Sequence, residues 1–246
     1  MDNLLYISTV GLSNIDQAQA ARANNLANVS TTGFRADLAR VMATEVGGDG
    51  YQARVYGVNE TQGVDMSAGA QNETGRALDV AIDGDGLLSV RLPNGEEGYT
   101  RNGALQVDAL GRLLSSDGFE VLGQGGPISL PPVESVLIGN DGTITIRPEG
   151  QGAESLVQLD QLKLVNPPAN QLRKDATGYL TLKAGGAAPA DLGVTVNSGF
   201  LESSNVNAVD ELTQILSLSR QYELEVRMMR IAEENDQSAS QLLRIG

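Results

Sequence analysis

Hydrophobic positions follow a helical period at both ends of the chain and a period of two between them. From residue 3 to 29, Leu5, Ser8, Leu12, Ile15, Gln19, Arg22, Leu26 and Val29 fall on one seam with 3-4 spacing, and five of these eight are apolar. Ala18, Ala20, Ala21, Ala23 and Ala27 add helix propensity and small faces that let another helix come close. Asp2 or Asn3 can cap the start, and Ser30-Thr31-Thr32-Gly33 supplies residues that favour turns at the end. Residues 207–245 repeat the scheme. Ala208, Leu212, Ile215, Ser219, Tyr222, Val226 and Met229 keep the spacing, and the seam then turns polar at Glu233, Asp236 and Ser240 before Leu243. Asn207 is placed to cap this second helix, with Asp210 three residues on.

The middle of the chain changes period. Leu105/Val107, Ile144/Ile146, Leu162/Leu164, Leu180/Leu182 and Val194/Val196 alternate with polar residues, which predicts half-buried strands. Asn94-Gly95, Asn102-Gly103, Asp117-Gly118 and Asp141-Gly142 sit where hairpin turns belong. All eight Pro lie between 93 and 189, outside both helices. Residues 36–70 carry a poor signal interrupted by Gly47-Gly48-Asp49-Gly50.

These patterns predict an α+β fold. Long N- and C-terminal helices pair as a coiled-coil-like layer, and the central domain is mainly β. The expected divisions are an N-terminal assembly helix (1–35), an extended connector (36–70), a β-rich central domain (71–202) and a C-terminal assembly helix (203–246). A lone pair of helices with polar seam residues is marginal, because a helix relies on burying its stripe. Both ends are therefore expected to order against copies or relatives of the chain.

Composition removes whole classes of chemistry. With no His there is no imidazole base, Ser-His-Asp triad or imidazole metal ligand, and with no Cys there is no thiolate nucleophile or disulfide. Net charge is −14, and it is uneven: residues 1–40 are neutral, while 41–200 carry 10 basic and 20 acidic residues. That balance argues against nucleic acid and anionic lipid as partners, since both need clustered Lys and Arg. No run approaches 18 apolar residues, so no membrane insertion is expected. Asp2-Asn3 and the polar residues that interrupt Leu4–Leu12 do not fit a cleaved signal peptide.

Single motifs add little. Asp79 to Gly86 has acidic spacing like a calcium loop but lacks the closing Glu, so a strand ending in a Gly-Asp-Gly turn explains it better. Gly123-Gln124-Gly125-Gly126 precedes Pro127 rather than a helix and is not read as a phosphate loop. No catalytic, metal or cofactor site is expected. The exception is the Asn cluster of Asn24, Asn25 and Asn28 near the end of the first helix, where Asn is a poor helix former. These amides suit either a helix end that needs donors or contacts between subunits.

Three blocks in order carry a resemblance: Ala23-Asn24-Asn25-Leu26-Ala27-Asn28 with Thr32-Gly33-Phe34, then Gly75 to Gly86 with Tyr99-Thr100-Arg101-Asn102-Gly103, then Ser204-Asn205-Val206-Asn207. Together they resemble the flagellar axial protein family, the rod and hook subunits of bacterial flagella. Gly126 to Pro131, Leu162 to Pro168 and the tail from Glu234 to Leu243 are most similar to the family's proximal-rod, F-type branch. Thr9-Val10-Gly11-Leu12 departs from the Gly-Met that relatives often carry. The resemblance implies a non-enzymatic structural subunit of a periplasmic drive shaft, with copies of itself and other rod subunits as partners. It also implies passage through the flagellar type III export apparatus without a cleaved signal. The alternatives are a distal rod or hook-type subunit, a secreted β-scaffold carbohydrate-active enzyme, or a stalked adhesin. The residues expected at the assembly interface are Leu5, Leu12, Ile15, Leu26, Val29, Leu212, Ile215, Tyr222, Val226 and Met229 for helix packing, and Asn24, Asn25 and Asn28 for amide contacts.

Overall fold

Two helices form where the 3.6-residue period runs. α1 spans Asp2–Ala27 and α2 spans Ala208–Ile245. The computed structural model describes residues 2–45, 55–148, 150, 156–175 and 177–245, with side chains left undescribed at 2–7, 39–45, 55–62, 236 and 238–245. The chain divides into two units. One comprises Met1–Ala27, Asp37–Gly63 and Asn207–Gly246, the other Asn28–Ala36 and Val64–Val206.

The first unit contains both helices and a two-stranded sheet of Asp37–Glu45 with Val55–Val64, whose last residue belongs to the second unit; both strands lie in the stretch expected as an extended connector. Asn207 caps α2: its Oδ1 accepts the N–H groups of Val209 (3.0 Å) and Asp210 (3.4 Å). Asp210 and Glu211 then place negative charge in the first turn, where the helix dipole favours it.

The coiled-coil-like layer is a correction. Such a layer needs apolar knobs locked into a facing helix. Both hydrophobic clusters among the described residues belong entirely to the β-rich unit. Of the expected α2 seam, Leu212, Tyr222 and Val226 remain exposed. The only apolar helix residues buried among those described are Ala21 and Ala232. The cause is visible in the seam itself, because Ser8 and Arg22 occupy positions where knobs would stand. A polar link joins α1 to α2, with Arg22 donating to the Glu211 carboxylate at 3.1 Å.

The second unit is built on antiparallel pairing. Its largest sheet runs in the order Leu172–Lys174, Leu180–Leu182, Glu97–Thr100, Leu87–Arg91, Glu120–Gly123, Leu113–Ser115, Leu105–Val107. Gly126–Pro127 and Leu164–Val165 add short pairings to it. A three-stranded sheet joins Val133–Ile138, Thr143–Pro148 and Val157–Gln161. Two further strand pairs, Thr195–Ser198 with Val80–Asp83 and Phe200–Glu202 with Gln71–Glu73, bring the end of the unit back to its beginning. Alternate residues Ile144 and Ile146, Leu162 and Leu164, and Val194 and Val196 are all buried, while Leu87 to Val90 are buried without interruption. Leu105 is buried but Val107 is 40% exposed, because its strand lies at the sheet edge.

Candidate assembly interface and buried charge cluster

The expected interface residues divide by burial. Leu12, Ile15, Leu26, Val29, Ile215 and Met229 are half-buried, while Leu212, Tyr222 and Val226 are exposed. Leu5 lies outside the residues whose side chains are described. The three Asn separate too. Asn24 is exposed and Asn28 half-buried, and Asn28 Oδ1 accepts the Thr31 hydroxyl at 3.1 Å. Asn25 is fully buried. It donates to the Asp37 carbonyl (3.1 Å) and to Glu211 Oε1 (3.1 Å) and accepts the Asp37 N–H (2.8 Å). Its amide is used within its own chain, holding the end of α1 to the strand that follows.

α2 also carries a row that its seam spacing does not reveal. Val209, Leu216, Leu224 and Ile231 are separated by seven, eight and seven residues, about two helical turns each, so they share one face. They are 70%, 61%, 56% and 51% exposed. Glu211 and Ala232, buried, lie on the opposite side of the helix. Exposed Thr213, Arg220 and Arg227 alternate with the four apolar residues on their face, so the row is apolar at every second turn. Scattered surface leucines are ordinary, whereas large contiguous apolar patches mark interaction sites.

In the β-rich unit, three charges that are far apart in sequence meet in the interior. Arg35, Arg101 and Glu202 have side chains 3%, 1% and 1% exposed. Glu202 Oε1 accepts from Arg35 Nη2 (2.6 Å) and from the Gly69 N–H (2.7 Å), while Oε2 accepts from Arg101 Nη1 (3.1 Å). Arg101 Nη2 also donates to the Gly84 carbonyl at 2.6 Å. Burial lowers the Arg101 pKa from its ordinary value, and the Glu202 carboxylate works against that shift. Two cations face one anion, and Arg35 Nε and Nη1 and Arg101 Nε have no hydrogen-bond partner. The backbone packs tightly here. A Cβ on Gly69 would lie 2.1 Å from the Ser203 carbonyl oxygen, and one on Gly33, whose φ is +67°, would lie 2.3 Å from the Asn102 nitrogen. Sequence reading missed this cluster because no spacing rule joins positions 35, 101 and 202. The weak signal was that Arg101 lies inside the quoted central block and Arg35 directly follows the Thr32-Gly33-Phe34 motif.

No grouping of acidic side chains among the described residues could hold a metal ion. Asp79, in the loop with calcium-like spacing, is buried beside Arg76 at 3.2 Å. No helix among the described residues is long and apolar enough to cross a membrane.

Comparison with known proteins accounts for this layout. Family models match three segments: flagella basal body rod protein over residues 5–35, the flagellar hook protein FlgE/F/G D1 domain over 81–146, and the flagellar basal body rod FlgEFG protein C-terminal region over 197–242. The chain is 36% identical to the flagellar basal-body rod protein FlgF of Salmonella typhimurium and 37% identical to that of Escherichia coli, over 99% of each chain. The chain belongs to the flagellar basal-body rod proteins. Within that family the likeness is to the F type. The FlgG rod protein of Bacillus subtilis is 31% identical over 94% of this chain and 95% of its own. The Asn24–Asn28 block, Arg35 and α1 thus lie in or beside the N-terminal rod match. Arg101 lies in the D1 match, and Glu202 and α2 up to residue 242 lie in the C-terminal one.

Proposed function

We propose that this rod protein is a proximal subunit of the periplasmic drive shaft, that it leaves the cytoplasm through the flagellar type III export apparatus, and that it has no catalytic role. Its neighbours are copies of itself and other rod subunits. The contacts are made by the helical unit, above all by the outer row of α2. The observation that carries this reading is the row itself: Val209, Leu216, Leu224 and Ile231 turn apolar surface to water along about six turns of a capped helix. Leu212, Tyr222 and Val226 extend the exposed apolar surface around the same helix, while Asn24 and Asn28 supply amide groups near the end of α1.

The test is complementation of a deletion strain with Leu216→Asp and Leu224→Asp chains. Basal bodies purified from these cells should lack the subunit and the cells should not swim, while the purified variants melt like the parent. Normal incorporation of both variants would place the assembly surface elsewhere.

A further inference from the structure

The chain passes between its two units after Ala27, Ala36, Gly63 and Val206. In the β-rich unit, the segments that flank these points are bound to one another. Ala36 N–H donates to Asn205 Oδ1 (2.9 Å), Asp65 N–H to the Ala36 carbonyl (2.9 Å), and Asn205 Nδ2 to the Asp65 carbonyl (3.0 Å). Gly33 N–H donates to the Glu202 carbonyl at 2.7 Å, and Lys174 Nζ to the Arg35 carbonyl at 2.9 Å. The Glu202 side chain ties the same three stretches through Arg35 and Gly69 and adds the Arg101 strand end. Three of the four covalent paths out of this unit, those at Ala36, Gly63 and Val206, therefore start within a few residues of one buried carboxylate.

The cluster is poorly arranged for stability alone. It carries a net positive charge out of water and leaves three guanidinium nitrogens unpartnered. Buried ion triads of this kind can often be replaced by apolar side chains without loss of stability, whereas removing one member leaves an uncompensated charge. Its geometry does something that apolar packing cannot do: a carboxylate with two guanidiniums and a backbone N–H accepts one arrangement of the segments that carry them.

We propose that Glu202 is a positioning residue for rod assembly, holding segments 33–36, 65–69 and 202–205 in the single register from which the chain continues into its helical unit. This rests on the rod-subunit reading above. Force carried between the units along the chain would pass through the stretches that Glu202 grips, which is a reason for register to matter more than melting temperature.

The experiment compares the parent with Glu202→Gln, Glu202→Asp and the apolar triple Arg35→Met, Arg101→Met, Glu202→Leu. Two readouts are taken: amide hydrogen exchange of the purified full chain, and incorporation into basal bodies. In Glu202→Gln, exchange at Gly33, Ala36 and Asn205 should rise at least about tenfold while strand Leu87–Arg91 keeps its protection, and Glu202→Asp should restore part of the difference. The triple variant should melt at or above the parent temperature yet incorporate at least about tenfold less well. Uniform acceleration across the unit, or unchanged exchange at the three amides, would overturn the proposal, as would normal incorporation of the triple variant. If the triple variant does not fold, the exchange comparison decides alone. Failure of the parent chain to enter rods would instead remove the rod-subunit reading and leave the exchange result standing.

Discussion

At the scale of single residues, energy turns on what burial does to charge and to hydroxyls. Glu202→Ala leaves Arg35 and Arg101 buried without a counter-ion, and breaking such a group costs about 3–5 kcal/mol. Urea unfolding should show this loss, and a change under about 1 kcal/mol would mean that water enters the site freely. Tyr99 gives a pH prediction. It is fully buried, and its hydroxyl donates to Glu97 while accepting the Ala188 N–H at 2.7 Å. Burial, the main cause, pushes its pKa up from 10.0 to about 12. The folded form therefore holds its proton after the unfolded chain has lost it. Stability from this group is complete below about pH 10 and is lost as pH rises toward about 12. Absorbance of tyrosinate near pH 11 should show Tyr99 still protonated in the parent. A Tyr99→Phe chain should show a shallower loss of stability over that interval. The charge cluster was not legible in the sequence, since its members lie more than sixty residues apart; Tyr99 reads as a core or strand-edge aromatic, but its bond to Ala188 does not.

At the scale of elements, patterns with short-range causes were legible and those that need a partner surface were not. Asn94-Gly95, Asp117-Gly118 and Asp141-Gly142 each sit between strands that pair antiparallel, and each Gly has positive φ, which L side chains rarely adopt. Asn102-Gly103 looks the same in the sequence but joins strands that are not neighbours. Gly103 is needed there for space, because a Cβ would stand 1.8 Å from the Val80 carbonyl oxygen. The Asn207 cap was also legible, because its acceptor and donors lie within three residues. Asn207→Ala should cost about 1 kcal/mol, as N-cap losses do, measurable by thermal unfolding. The helix seam tells only part for a related reason. A 3-4 spacing says which residues share a face but not which face finds cover, so it named Leu212 and Tyr222 and passed over Leu216 and Leu224. Leu212→Asp, at a position 49% exposed, should leave monomer stability within about 0.5 kcal/mol and yet block incorporation. If melting falls with incorporation, the residue serves the fold and not the interface.

At the scale of the whole molecule, the two units differ in how they are stabilised. The β-rich unit holds both hydrophobic clusters and a closed set of strand pairings, so it satisfies itself. The helical unit contributes to neither cluster, and its ties include Arg22 and Asn25 to Glu211, Asn25 to Asp37, a cap, and the two-stranded sheet. An amphipathic helix gains most of its stability from burying its stripe, and α2 has one stripe that its own chain does not cover. The outer turns of α2 should therefore open more readily in the free subunit than the β strands do, and close when neighbours bury Leu216, Leu224 and Ile231. Hydrogen exchange on the purified monomer should show amides of residues 224–231 opening well before those of Leu87–Arg91, and the same amides should be protected in isolated basal bodies. Circular dichroism should show a matching gain of helix on assembly. Equal protection of the two segments in the monomer would mean that the helical unit is already complete, and the row on α2 would then have no need of a companion.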